Sequence, residues 1–354
     1  MATKIFLTGV TGYIGGDIFA TLYKAHPEYD YTLLVRDEPR GKLVKDKYPQ
    51  DNIHFAYGDL DAADVISSAA AKADVVIHTA DSSDNLPAAR AIAKGLAGGH
   101  SREKPGYWLH ICGTGILQWY DETYKRFGQP PFPGEVYDDI DDIHRILTLP
   151  DQAYHRDCDR IVLSANQSPG SVKTAIVGPP TIYGLGRGPV NTRSIQVYEL
   201  AKFALEKGYA PYVGTGKVEW DNVHIHDLSD LFVTLTEAAL DPSKNKDPEL
   251  FGPGAYYFAE HGTHVWGEVA GWIAEEVKKQ GFVQEAKLVG TDMEGVKHGK
   301  STNSTWGTNS RSQATRARKY FGWTPKGKSL KEEIPDIVRQ EAQRIGISPK
   351  YATQ

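Results

Sequence analysis

Six short, nearly unbroken apolar runs recur through the first half of the chain, at 4–8, 31–36 (YTLLVR), 53–57 (IHFAY), 74–79 (DVVIHT), 107–112 (YWLHIC) and 172–178 (VKTAIVG). Between them, apolar residues fall at helical spacing over 13–25, 61–72, 85–97 and 152–166. Strands that are apolar on both sides need cover on both faces, and strands joined through helices run parallel. The alternation therefore predicts an α/β fold with a doubly wound parallel sheet. After residue 185 the rhythm changes. Helices are expected at 192–206, 227–240, 264–279, 311–321 and 329–344, with longer loops between them. This reads as a smaller lobe packed on the C-terminal edge of the sheet, with the cleft between them as the expected ligand site. The expected division is 1–185 for the sheet domain and 186–354 for the lobe, with 218–240 returning to the sheet domain.

The first strand runs into TGVTGYIGG at 8–16, where Gly9, Gly12 and Gly15 are spaced G-x-x-G-x-x-G. Ile14, Ile18, Leu22 and Ala25 then follow at helical spacing. Glycines let the backbone come close to a pyrophosphate, and the helix start offers free N–H groups and a partial positive charge. Strand, glycine turn and helix together predict a dinucleotide site on a Rossmann-type sheet.

Composition narrows the field. The 354 residues carry a net charge of −5, which leaves no basic footprint for nucleic acid. Two cysteines, Cys112 and Cys158, make no C-x-x-C pair, and a chain this long needs no disulfide scaffold. No apolar run approaches the ~18 residues of a membrane span, and the chain enters its first strand at Lys4. The expectation is a cytoplasmic protein, monomer or homodimer, acting on a small molecule without nucleic-acid or membrane partners.

Seven stretches in order bear a resemblance to a known group. They are TGVTGYIGG (8–16), VRDEPRGK (35–42), GDL (58–60), VIHTA (76–80), GPPTIYG (178–184), WDNVHIHDL (220–228) and KYFGWTP (319–325). With these the chain resembles the extended short-chain dehydrogenase/reductase superfamily, which holds NAD-dependent epimerases and dehydratases and dihydroflavonol-reductase-like enzymes. The resemblance implies that Gly9, Thr11, Gly12, Tyr13, Ile14 and Gly15 hold the cofactor's phosphates, while Asp59 and Leu60 meet the adenine. Thr79, Ala80 and Asp81 would lie under the adenosine half, and Pro179, Pro180 and Thr181 would flank the nicotinamide. Arg36 ends the second strand, where its fork of donors suits a 2′-phosphate, with Arg40 and Lys42 adding charge nearby. NADP(H) is therefore the preferred cofactor, with NAD(H) the alternative because Asp37 could turn toward the ribose.

The resemblance implies a Ser or Thr after the fifth strand and Tyr-x-x-x-Lys on the next helix. Thr114 in HICGTGIL is the hydroxyl, and Tyr154 in DQAYHRDCDRIVL is the tyrosine, but Cys158 stands where lysine should be. Without an ammonium ion Tyr154 loses the group that eases proton transfer at neutral pH. On a helix neither Arg156 nor His155 shares the face of position 158. Cys158 reads as core filling.

Residues 118–150 form a long excursion after the fifth strand, in a place where lids are common. Its acids Asp138, Asp139, Asp141 and Asp142, with His144, read as the acidic start of a helix rather than a metal site. Tyr120, Trp119, Tyr124, Phe127, Tyr137 and Trp220 are expected to face the cleft, which hints at an aromatic substrate. Three functions stay open: an NADP(H)-dependent oxidoreductase acting on the carbonyl or alcohol of a small metabolite; an epimerase, dehydratase or isomerase with a tightly bound dinucleotide; and a non-catalytic dinucleotide-binding regulator.

Overall fold

The computed structural model describes residues 2–167, 170–297 and 303–351. Strands and helices alternate from the start: β1 (Lys4–Thr8), α1 (Tyr13–Ala25), β2 (Asp30–Val35), α2 (Glu38–Lys47), β3 (Ile53–Tyr57), α3 (Ala63–Ala70), β4 (Val75–His78), α4 (Leu86–Gly99) and β5 (Gly106–Ile111). With Val172–Gly178 and Tyr256–Phe258 these strands form a seven-stranded sheet, ordered 256–258, 172–178, β5, β4, β1, β2, β3, with every neighbouring pair parallel. The winding reverses between β1 and β4, and such a reversal opens a crevice at the strands' C-terminal ends. The central strands β4 and β5 are buried along their whole length, which is why they read as unbroken apolar runs.

Within the large sheet and its covering helices, two elements are not visible in the hydrophobic pattern. Helix α2 (EPRGKLVKDK) buries only Gly41 and Val44, so it has no apolar stripe. It starts because the Asp37 side chain accepts from Arg40 N at 2.9 Å and Pro39 sits in the first turn. The edge strand Tyr256–Phe258 is only three residues long, too short for a period to show.

A second hydrophobic core gathers helices Gln196–Lys207, Trp266–Lys279 and Leu330–Ile345 around Trp220, Trp266 and Trp306. Helix Ile225–Leu240 instead packs on α1 and belongs to the core of the large sheet. Asp17 of α1 is buried and ties this helix to the loop at Arg187 and to helix Ile225–Leu240, accepting from Arg187 N (2.6 Å), the Arg187 guanidinium (2.7 Å) and Ser229 Oγ (2.7 Å). Burial would raise its pKa, but these bonds prevail and hold the carboxyl below the usual range.

The 118–150 excursion is a strap tied to the C-terminal part of the chain. Val136–Asp138 pairs in parallel with Arg311–Gln313. Asp121 accepts from Asn309 N at 2.7 Å, and Gly128 N donates to Gly307 O at 2.8 Å. Its acids serve backbone turns: Asp138 accepts from Ile140 N (2.8 Å), Asp139 from Phe258 N (2.8 Å) and Arg316 N (2.7 Å), and Asp142 from Asp138 N (3.0 Å). No described helix is long and apolar enough to cross a membrane.

Candidate functional site

One cavity of about 1150 Å³ runs along the C-terminal ends of β1, β2, β3, β4, β5 and Val172–Gly178. At its centre is the glycine turn. Gly9 has φ +88°, a conformation that suits glycine, and a Cβ there would overlap Thr79 Oγ1. At Gly15 a Cβ would overlap both Thr79 Oγ1 and the Gly9 carbonyl oxygen. Gly12 differs: beyond its own neighbours a Cβ meets only the Gly9 carbonyl oxygen, at 3.1 Å, and Gly12 lines the cavity. The turn is fixed to β4 through Thr8, whose Oγ1 accepts from Thr79 N (3.1 Å) and bonds His78 Nδ1 (2.7 Å), while Thr79 Oγ1 donates to Thr8 O (2.7 Å). Burial pushes the His78 imidazole down to about 3, so it is a neutral part of the core.

The wall brings together Gly9, Thr11, Gly12, Tyr13, Ile14, Gly15, Arg36, Asp59, Leu60, Thr79, Ala80, Asp81, Thr114, Tyr154, Pro179 and Pro180. Lys42 and Thr181 are not part of it. The Lys42 ammonium pairs with Asp46 one helical turn on, at 2.7 Å, and Thr181 is buried in strand Thr181–Tyr183. Arg40 does reach the wall, though its guanidinium bonds Asp37 at 3.1 Å. Asp37 is thereby engaged with Arg40 and the start of α2 and is not on the wall. Arg36 is exposed at the cavity, with no hydrogen-bond or ion-pair partner among the described residues.

The other end departs from the sequence expectation. Helix Arg156–Ala165 starts two residues after Tyr154, so Tyr154 and Cys158 do not share a helical face. Tyr154 is 50% exposed and its hydroxyl donates to Asp84 Oδ2 at 3.3 Å. Burial first, and then the Asp84 charge, push the phenol up to about 12. Cys158 is fully buried and its thiol donates to Ser82 O at 3.0 Å. His155, expected off the helical face of position 158, lines the cavity. The reason is local: His155 caps the helix in the left-handed conformation, φ +70°, which swings its side chain out of the helical repeat. Only a tertiary contact could have signalled this, since a non-glycine φ of that sign is uncommon.

Thr114 opens a short 3-10 turn, Thr114–Gln118, right after β5. Its backbone N–H donates to Pro179 O at 3.0 Å, while its buried Oγ1 has no partner among the described residues. Gln118 and Glu122 reach the wall from the excursion, and burial raises the Glu122 carboxyl. Val190, Arg193, Ile195, Trp220 and Thr305 come from the second half of the chain. Of the aromatics expected to face the cleft, only Trp220 lines it; Tyr120 stacks on Phe132 and Tyr137 is buried against Trp119.

Known proteins share this architecture. A family model described as the NAD dependent epimerase/dehydratase family matches residues 5–94. The sequence is 38% identical to an oxidase, ucsJ, of Acremonium sp, over 98% of this chain and 100% of that protein. The dTDP-glucose 4,6-dehydratase of Bacillus anthracis, solved in complex with NAD, aligns with a TM-score of 0.63 at 15% identity, covering 97% of each chain. The corresponding enzyme of Streptomyces venezuelae, also solved with NAD, gives 0.66 at 14% identity, covering 97% of this chain and 98% of that one.

Proposed function

Since this chain belongs to the NAD dependent epimerase/dehydratase family, we propose that it is an NADP(H)-dependent oxidoreductase acting on the carbonyl or alcohol of a small organic substrate. The observation that carries this reading is one continuous cavity joining a phosphate-sized glycine turn to a corner of proton-carrying groups. The residues present fit a dinucleotide. Gly12 lines the cavity at the start of α1, where free N–H groups and the helix dipole favour an anion. Asp59 and Leu60 receive the adenine beyond β3, Thr79, Ala80 and Asp81 lie under the adenosine half, and Pro179 and Pro180 flank the nicotinamide. When bound, the dinucleotide supplies or accepts a hydride. Thr114, with its unpartnered buried hydroxyl, donates to the reacting oxygen and so orients it.

The preference for the 2′-phosphate rests on Arg36. Its guanidinium is free at the end of β2, and Asp37, the one acid that could select an unphosphorylated ribose there, is held in the start of α2. A planar fork of donors meets a phosphate in two parallel charge-assisted bonds.

Cations also bear on the substrate. Arg36 and Arg40 belong to the cofactor end; at the reacting end the wall carries Arg193, which is held by Glu341 (2.6 Å) and Glu199 (2.8 Å). Arg187 is bonded to Asp17. Among the described residues both arginines at this end are thus engaged by acids, and the substrate is read as small and uncharged rather than as a sugar nucleotide.

Titrating the purified protein with NADPH and NADH by fluorescence, then following loss of the reduced nicotinamide over a panel of aldehydes and ketones, tests the reading. Tight NADPH binding and turnover of a member of the panel are expected. Failure to bind either dinucleotide would overturn it.

A further inference from the structure

We propose that His155, oriented by Asp84, is the residue that carries the proton at the reacting oxygen, in place of a tyrosine activated by lysine. This rests on the reading of the cavity as a hydride-transfer site. His155 Nδ1 lies 2.7 Å from Asp84 Oδ1. A carboxylate only accepts, so Nδ1 carries the hydrogen and Nε2 is left to act on a ligand. The imidazole is 10% exposed and Asp84 40%, so the carboxylate sits on the solvent side and the ring faces inward.

Nε2 lies against the Gly113–Thr114–Gly115 turn. A Cβ would sit 3.1 Å from it at Gly115 and 3.7 Å at Gly113. The two glycines therefore leave the room that the ring occupies beside Thr114. Around Gly115 the Tyr154 ring and the Gln118 amide also converge, each 3.2 Å from that same Cβ position. The buried Thr114 Oγ1 without a partner marks this corner as a place for a hydrogen-bonding ligand. The strained backbone agrees: among the described residues three non-glycines have positive φ, and two of them, Asp81 at +45° and His155 at +70°, line this cavity.

Tyr154 is less suited to the task. It is the more exposed of the two, it donates to an acid, and Cys158, in the place of the lysine, is buried against Ser82. The titratable groups facing the imidazole are Asp84 and Asp81 from the loop after β4, Glu122 from the excursion, His110 from β5, and Tyr154 and Asp159 on its own segment. The four acids surround it with negative charge, while Arg156 turns its guanidinium to Leu147 O.

The step balances as follows. In reduction, the carbonyl carbon takes a hydride from reduced nicotinamide, and the C=O π pair moves to oxygen. That oxygen takes the proton from Nε2–H of the imidazolium. The alcohol, neutral His155 and oxidised nicotinamide result, Asp84 stays a carboxylate throughout, and solvent returns the proton to His155. Alcohol oxidation runs the same events in reverse, with neutral Nε2 as the base.

Two measurements decide it. In the dinucleotide-free protein, two-bond ¹H–¹⁵N NMR, assigned by the signals lost in His155→Gln, is expected to show the Nδ1–H tautomer above neutral pH. Asp84→Asn should abolish that preference; a wild-type Nε2–H tautomer would overturn the proposal. In single turnover with NADPH and whichever aldehyde the wild type reduces, His155→Gln should slow the chemical step by roughly 10²–10⁴-fold. Its NADPH dissociation constant should stay near the wild-type value, and Asp84→Asn should move the pH profile rather than only lower it. Tyr154→Phe should cost less than His155→Gln. A His155→Gln protein that turns over at the wild-type rate rejects the role of His155. If the wild type binds no dinucleotide, the oxidoreductase reading fails separately, and the tautomer still decides the geometry of the pair.

Discussion

At one end of the cavity the wall comes from residues next to strand ends in chain order: Gly9–Gly15 after β1, Leu34–Arg36 at the end of β2, Gly58–Leu60 after β3 and Thr79–Asp81 after β4. At the other, Thr114, Glu122, Tyr154, His155, Arg193, Trp220 and Thr305 come from six separate stretches of chain. The first end is a product of local motifs on a parallel sheet, each with its own backbone reason. The second exists only because the strap over 118–150 is tied to Asn309 and Arg311–Gln313 and because the second core brings Trp220 alongside. Changes at the first end should therefore act singly on cofactor binding or on folding. Changes at the second should act on chemistry, and on stability where buried polar groups are disturbed.

The sharpest division lies within the glycine turn. Gly15→Val should leave little folded protein, because its Cβ would overlap backbone and Thr79 at once; the loss should exceed about 4 kcal/mol, the range of severe overpacking and backbone clash. Gly12→Val should remain folded and lose dinucleotide affinity, because its side chain enters the open cavity. Thermal melts with and without NADPH read both, and equal melting temperatures for the two variants would erase the distinction.

Cys158→Lys comes next. The thiol is fully buried, so an ammonium ion there is expected to destabilise the fold by about 3 kcal/mol rather than to rebuild a tyrosine–lysine pair. Chemical denaturation measures it; a stable variant with raised activity would mean that the reacting end follows the family pattern after all.

Arg36→Ala should weaken NADPH by roughly 10–100-fold, the scale of lost charge-assisted hydrogen bonds. NADH binding should hardly change. Equal affinities of the wild type for both dinucleotides would remove the assigned role of Arg36.

The smallest expected effect concerns Asp159, one helical turn behind His155. Burial raises its carboxyl to about 6, and Oδ1 has no partner among the described residues, although Oδ2 accepts from Tyr256 at 3.1 Å. Its folded pKa is raised above the ~4 of an unfolded aspartate, so the folded state binds the proton more tightly. That contribution is present below about pH 4 and is lost as pH rises through about 6. Asp159→Asn removes the titration. Relative to wild type it should gain stability above that window, and nothing at low pH, in urea melts at several pH values. A difference that does not vary with pH would show that Asp159 acts through packing.

The sequence by itself determined the sheet and the cofactor end. Strand periodicity placed β1 to β5 and Val172–Gly178 to within one or two residues, and Gly9, Gly12 and Gly15 mark the turn, because burial on both faces and close backbone approach each demand particular residue types locally. Where local pattern is weak, the reading lost elements: α2 has no apolar stripe, and Tyr256–Phe258 is a strand only because Val172–Gly178 offers it an edge. At the reacting end only the tertiary structure decided. The side-chain direction of Tyr154 and His155 depends on one backbone angle, φ at position 155, which the helix start and Asp84 hold in place. Likewise Lys42 turned to Asp46, Asp37 to the start of α2 and Tyr137 to the core, because a charged or amphipathic side chain goes to the nearest partner that space allows. Spacing along the chain carries no record of that choice, since the partners come together only when the strap and the second core close over the sheet.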